Sequence, residues 1–158
     1  MSVFFFAVAG VTPAAAEGPD LLALSAGAFD VNDDETAAEG RVEYRSHHKL
    51  YFIGPMAGLM ANSDGGVYGY GGIYIDIELG ERVALTPSFA VGGYRRGDSK
   101  DLGSTIEFRS GVEIAWRFDS GARLGVAFHH ISNAGIDDNN PGTESLVLTY
   151  AIPLAPLF

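Results

Sequence analysis

The chain has 158 residues, enough for one domain, and a formal charge of −10 from 20 acidic and 10 basic residues. No basic stripe exists to displace counterions, which excludes nucleic acid as a partner. Cysteine is absent, removing disulfides and thiolate metal sites. The chain is 47% hydrophobic with 21 glycines, and no run after residue 16 is long enough for a transmembrane helix. That combination suits a β protein with two unlike faces.

At the N-terminus, Val3 to Val11 is a short apolar run, and Pro13-Ala14-Ala15-Ala16 ahead of Glu17 offers small residues at a cleavage site. Residues 1–16 read as an export signal and 17–158 as the mature domain, although Met1-Ser2 lacks the basic residues usual in such leaders. A buried first strand is the competing reading, and the unbroken Phe4-Phe5-Phe6 does not alternate as that would require.

Strand-like runs follow at 20–30, 38–46, 50–61, 67–77, 82–93, 104–118, 122–133 and 144–154. Polar, glycine-rich loops at Asp30–Ala37, Asn62–Gly66, Tyr94–Gly103 and Ala134–Thr143 alternate with tighter turns at His47–Lys49, Glu78–Glu81 and Asp119–Gly121. Four loops alternating with three turns, with both chain ends on the turn side, describe an eight-stranded antiparallel up-and-down barrel.

Period-two patterning is clearest in the sixth run. Ile106, Phe108, Val112, Ile114, Trp116 and Phe118 face one way, and Glu107, Arg109, Glu113 and Arg117 the other. The second run sets Glu39, Arg41, Glu43 and Arg45 against Val42 and Tyr44; the fifth sets Val83, Leu85, Phe89 and Val91 against Ala84, Thr86, Ser88, Ala90 and Gly92. A soluble sandwich would bury the apolar face, and a membrane barrel would turn it to lipid. Two features favour the membrane. Charges of both signs alternate within single strands, so they can pair inside a narrow lumen. Trp116, Phe118 and Tyr150 fall near strand ends, where interfacial aromatic girdles belong. The terminal Phe158 after an apolar strand resembles the assembly signal of bacterial outer-membrane barrels.

The last hairpin carries the chemistry. Alternation puts His130 and Ser132 on the face of Leu124, Val126 and Phe128, and Glu144 on the face of Leu146, Leu148, Tyr150 and Ile152. A base, a hydroxyl and a carboxylate so arranged can cleave an ester: the hydroxyl attacks, the imidazole takes its proton, and the carboxylate orients the imidazole. Pairing of the last two strands sets Glu144 opposite or diagonal to His130, provided the register keeps parity. Oxyanion donors are available from Asn133-Ala134-Gly135 and Asn139-Asn140-Pro141-Gly142.

His130-x-Ser132-Asn133-Ala134-Gly135 with Asn140-Pro141-Gly142-x-Glu144 resembles the outer-membrane lipid A 3-O-deacylases, the PagL type. The resemblance implies an eight-stranded barrel in the bacterial outer membrane that hydrolyses the 3-O-linked hydroxyacyl chain of lipid A, with lipopolysaccharide and membrane lipids as its partners. It implies Ser132 as nucleophile, His130 as base and Glu144 as its orienter. Asn140 and the Gly135 amide would supply the oxyanion donors with Asn133 in support, and neither metal nor organic cofactor is expected. A homodimer is compatible with the sequence. Asp137-Asp138 is a departure, placing negative charge near a phosphorylated substrate.

Other polar groups have plainer readings. His129 falls on the opposite face and is expected to hydrogen-bond in the lumen. His47 and His48 share a turn with Lys49, and no third ligand makes them a metal site. Arg95 and Arg96, on a loop, can bind lipid A phosphates or serve as ordinary loop charges. Two alternatives to the deacylase remain open: a non-catalytic structural or adhesive barrel, and a phospholipase acting on glycerophospholipids.

Overall fold

Alternating runs bounded by polar turns make nine strands over residues 18–155, the part of the chain that the computed structural model describes. They are β1 (Leu21–Phe29), β2 (Ala37–Arg45), β3 (Ile53–Asn62), β4 (Val67–Ile75), β5 (Ile77–Leu79), β6 (Val83–Arg95), β7 (Ile106–Arg117), β8 (Arg123–Ser132) and β9 (Thr143–Pro153). Among the described residues there is no helix. The expected export signal and the terminal Phe158 lie outside the described residues.

Every strand pairs antiparallel with its sequence neighbour except β4 with β5, β1 also pairs with β9, and β6 pairs with both β4 and β5. β4 and β5 are one stave interrupted at Asp76, so the closed barrel has eight staves, as the sequence predicts. Asp76 accepts hydrogen bonds from Thr86 Oγ1 (2.9 Å), Arg123 Nη1 (2.9 Å) and Lys49 Nζ (3.2 Å). Tyr70 and Tyr74, six and two residues ahead of it, share its inward parity.

Two boundaries differ from expectation. The third stave begins at Ile53 and not at 50, because Tyr51 takes a positive φ of 59° and Leu50 bonds back to Ile53. The apolar Leu50-Tyr51-Phe52 run looks like strand in the sequence and is an exposed turn in the molecule. β6 runs on to Arg95, because the Tyr94 N–H reaches the Thr105 carbonyl at 2.8 Å and extends the ladder. Arg95 is therefore a strand-end residue, and only Arg96 lies on the loop.

The outer wall is apolar. Leu24, Val42, Leu59, Ile73, Phe89, Ile114, Val126 and Leu148 are all exposed there, with Trp116, Phe118 and Tyr150 towards the turn end. The lumen is filled with ionised and aromatic groups. Arg45 forks onto Glu113 at 2.8 and 3.1 Å and also reaches Glu43 at 2.8 Å; Arg109 reaches Glu43 at 2.9 Å and lies over the Tyr70 ring at 4.1 Å. Tyr70 donates its hydroxyl proton to Glu43 at 2.7 Å. β2 and β7 stand on opposite sides of the closed sheet, with three staves between them either way round. The cluster therefore crosses the barrel and closes it as a plugged wall, not a channel. Glycines make the room: a Cβ at Gly58 would collide with the Tyr70 hydroxyl, one at Gly54 with the Tyr74 ring, and one at Gly111 with the His129 ring.

His129 faces the lumen as expected, but its predicted hydrogen bond is absent: Nδ1 is buried without a partner among the described residues. The neighbouring strands offer it Gly111 on one side and Ser145 on the other. Gly111 has no side chain, and Ser145 donates to Glu39 instead, at 2.5 Å.

At the turn end, Asp20 ties the start of β1 to the β2–β3 turn. It accepts from Tyr44 Oη (2.6 Å), from the His47 N–H (2.8 Å), and pairs with His47 Nδ1 (2.6 Å).

Glu43→Ala would leave Arg45 and Arg109 short of a buried counter-charge, and the expected cost is about 3–5 kcal/mol. Urea unfolding of the refolded barrel in detergent measures it, and a change under about 1 kcal/mol would deny the cross-lumen cluster its structural role. A pH effect is expected at Asp20. The hydrogen bonds from Tyr44 and His47 hold its carboxyl at about 2, below its ordinary 3.8. A folded-state value below the unfolded one stabilises above the unfolded value and is lost as pH falls through the folded one. Asp20→Asn should therefore lower the thermal midpoint at pH 7 and converge with the parent chain as pH falls from about 4 to about 2.

Candidate active site

The loops join at one end of the barrel: 30–36, 63–66, 96–105 and 133–142. The site lies where β8 and β9 enter the last of these. Register pairs His130 with Glu144 directly. Because the Glu144 carbonyl turns to the other side and accepts from the Val31 N–H at 3.1 Å, His130 and Glu144 form a non-hydrogen-bonded pair. In such a pair the side chains approach most closely, with Cα atoms roughly 4.5 Å apart. Glu144 Oε1 lies 2.9 Å from His130 Nδ1.

Orientation follows from parity. Gly125, Ala127, His129 and Ile131 of β8 point inward, so Phe128, His130 and Ser132 point outward. In β9, Thr143, Ser145, Val147 and Thr149 are buried, so Glu144 shares the outer face with Leu146 and Leu148. The imidazole is 44% exposed and the carboxylate 24%. All three groups thus look out at the apolar wall, as the sequence predicts. Ser132 stands two residues from His130 on that face, a strand spacing of roughly 7 Å between Cβ atoms. Among the described residues no hydrogen bond joins its hydroxyl to the ring; such contacts are often long in resting enzymes and tighten with substrate.

The loop is built on Asn133, which is fully buried. Its Nδ2 donates to the Asn139 carbonyl (2.8 Å) and the Leu102 carbonyl (3.1 Å), and its Oδ1 accepts the Gly135 N–H (3.0 Å). Ala134 and Gly135 have φ of 54° and 80°, and the Ile136 N–H returns to the Asn133 carbonyl at 3.1 Å. That is a tight turn of the primed type, with both central residues left-handed. The non-glycine Ala134 holds strain of order 1–2 kcal/mol there. Asn140 Oδ1 accepts the Asn133 N–H at 3.0 Å, and its Nδ2 makes no hydrogen bond among the described residues. The Gly135 N–H, by contrast, is held by Asn133. Of the two expected oxyanion donors, the Asn140 amide is unbonded among the described residues and the Gly135 N–H is engaged.

A further contact fixes the imidazole. Gly142 has φ of 66°, and a Cβ there would sit 3.0 Å from His130 Cε1 and 3.6 Å from Nε2. The backbone before Glu144 is therefore packed against the imidazole. The Pro141-Gly142 pair signals a turn, but nothing in the sequence says that the glycine abuts the ring.

Arg95 and Arg96 line an open cleft of about 570 Å³ with Asp101, Ser104, Thr105, Ile106 and Asp137. Ile106 lies two residues before Phe108, which pairs with Ser132. The cleft thus borders the site from above, although Arg96 is bound to Asp101 at 3.2 Å. No cluster of His, Asp and Glu able to hold a metal occurs among the described residues.

An eight-stave barrel with an apolar wall and a lipid-facing His-Ser-Glu hairpin defines a class of outer-membrane protein. Within it, this chain belongs to the lipid A 3-O-deacylase (PagL) family, whose sequence model matches residues 40–153. It is 40% identical over 78 residues to the lipid A deacylase PagL of Pseudomonas aeruginosa, a match covering 49% of this chain and 42% of that protein. A second relative, the lipid A deacylase PagL of Bordetella bronchiseptica, is 32% identical over 77 residues, covering 49% of this chain and 39% of the relative. These alignments span less than half the length of either relative. The crystal structure of the outer-membrane enzyme PagL superposes with a TM-score of 0.65 at 18% identity, over 85% of this chain and 99% of that one, a likeness of fold.

Gly142→Ala is expected to leave the barrel folded while displacing the imidazole, since a left-handed φ costs an L-residue only about 1 kcal/mol. His130 ring resonances in NMR spectra of the detergent-refolded protein should shift, and unchanged resonances would contradict the packing of Gly142 on the ring.

Proposed function

We propose that this protein hydrolyses the ester that links a 3-hydroxyacyl chain to position 3 of lipid A, in the outer leaflet of the outer membrane. The observation that carries the reading is the 2.9 Å contact between His130 Nδ1 and Glu144 Oε1 on the lipid-facing surface, beside Ser132. Polar groups facing lipid without partners cost roughly 1–3 kcal/mol each, a cost that a purely structural barrel has no reason to bear.

Glu144 accepts the Nδ1 proton and thereby presents Nε2 as the base. Ser132 Oγ attacks the ester carbonyl as its proton passes to Nε2. The Asn140 Nδ2 donates to the oxyanion of the tetrahedral intermediate, with the Gly135 N–H reaching it only by sharing its bond to Asn133. Collapse expels the sugar hydroxyl, which takes the proton from the imidazolium, and leaves an acyl-serine. Water, deprotonated by the same imidazole, then releases the hydroxy fatty acid. Substrate reaches the hairpin laterally through the bilayer, its acyl chain already among lipids. Its phosphorylated sugars lie near the Arg95 and Arg96 cleft, where Arg95 is the arginine without an ion pair among the described residues.

Ser132→Ala and His130→Ala should abolish turnover without unfolding the barrel. Asn140→Ala should lower kcat by about 10²–10³. Mass spectrometry of lipid A from cells with and without the expressed chain should show loss of one hydroxyacyl chain. Full activity in Ser132→Ala would end the serine mechanism, unchanged lipid A would favour a non-catalytic barrel, and fatty acid released only from glycerophospholipid would favour a phospholipase.

A further inference from the structure

A buried ion pair below the loops reaches the catalytic hairpin from the side remote from lipid. Asp30, at the end of β1, is fully buried and takes a positive φ of 58°. Its Oδ1 accepts Lys100 Nζ at 2.8 Å and Thr143 Oγ1 at 2.9 Å. Lys100 also reaches Asp33 Oδ2 at 2.9 Å, and its own carbonyl accepts the Tyr94 hydroxyl at 2.9 Å. Thr143 is completely buried and immediately precedes Glu144. Two residues after Lys100, the Leu102 carbonyl accepts Asn133 Nδ2 at 3.1 Å, and Asn133 immediately follows Ser132. The segment 100–102 therefore reaches both strands of the hairpin, through Asp30 to Thr143 beside the carboxylate and directly to Asn133 beside the hydroxyl.

A lysine and an aspartate are costly to bury, and two lysines are all the chain contains. The stave register already fixes the hairpin in the sheet, so the pair adds little to pairing itself. What pairing leaves free is the loop-end twist of β9 that sets the Glu144 carboxylate against Nδ1. From this geometry we infer that Lys100 and Asp30 are positioning residues, which act through Thr143 to hold Glu144 in its hydrogen bond with His130. Neither touches the reacting atoms. The inference rests on the esterase reading of the site.

The test is a double-mutant cycle on hydrolysis of ester-linked hydroxyacyl chains from purified lipid A, with full-length protein refolded in detergent. Lys100→Met should lower kcat about tenfold and leave KM within about twofold, because alignment and not substrate binding is lost. In a chain that also carries Glu144→Ala, Lys100→Met should change kcat by less than about twofold, since the group it positions has gone. Thr143→Val is nearly isosteric and removes only the hydroxyl link. It should lower kcat about threefold and show the same dependence on Glu144, which keeps the test decisive if Lys100→Met fails to fold. A Lys100→Met or Thr143→Val effect of equal size with and without Glu144, or one confined to KM, overturns the inference. Ser132→Ala run alongside separates the two failures: activity retained there defeats the esterase reading, whereas its loss with a Glu144-independent Lys100 or Thr143 effect defeats only the positioning role.

Discussion

The cross-lumen cluster of Arg45, Arg109, Glu43 and Glu113 is the interaction on which the remaining geometry depends. Ionised side chains at the bilayer midplane cost roughly 2–4 kcal/mol each for arginine on the lipid face, so β2 and β7 can be set in only one parity. A slip of one residue would send Glu39, Arg41, Glu43 and Arg45 together into lipid. With β2 and β7 fixed, β8 and β9 pair in register between β7 and β1, and their parity is inherited. The outward direction of His130, Ser132 and Glu144 is thus a consequence of where the charges must go.

The same rule separates two populations of polar groups. Inward ones include the buried ion pairs that close the barrel: Arg41 with Glu39, Arg45 with Glu113, Arg109 with Glu43. Outward ones are few and gathered at a strand end, where lipid gives way to headgroups and a polar side chain is least costly. For the proposed esterase, that placement would set the ester at the boundary and the acyl chain along the wall. The strained Ala134 turn and the left-handed Gly142 both lie in the loop that joins His130 to Glu144.

Much of this was legible in the sequence, because parity is a property of spacing alone. Alternation in β2, β6 and β7 predicted the lumen and the lipid face, and the placement of His130, Ser132 and Glu144 followed from the same count. What spacing does not carry is contact across the barrel end. The interruption at Asp76 coincides with its bonds to Lys49 in the β2–β3 turn, Thr86 on β6 and Arg123 on β8, all distant in the chain. The Leu50-Tyr51-Phe52 turn has strand-like composition, and only the left-handed Tyr51 shows otherwise. The engagement of the Gly135 amide by Asn133 depends on a side-chain rotamer. Asp30, Lys100 and Thr143 are far apart in the chain and meet only after closure, so no local pattern announces them.

Lipid-facing orientation of the hairpin can be measured directly, because the chain has no cysteine and single cysteines can be introduced cleanly. Spin labels at Ser132→Cys, Leu146→Cys and Ser145→Cys, in protein reconstituted into bilayers, would be challenged with oxygen, which partitions into lipid, and with a water-soluble nickel chelate. Positions 132 and 146 should relax preferentially with oxygen, position 132 less so for its nearness to the headgroups, and position 145 should be immobile and shielded from both. Shielded, immobile labels at 132 and 146, with a label at 145 open to oxygen, would show the hairpin turned inward and contradict the account.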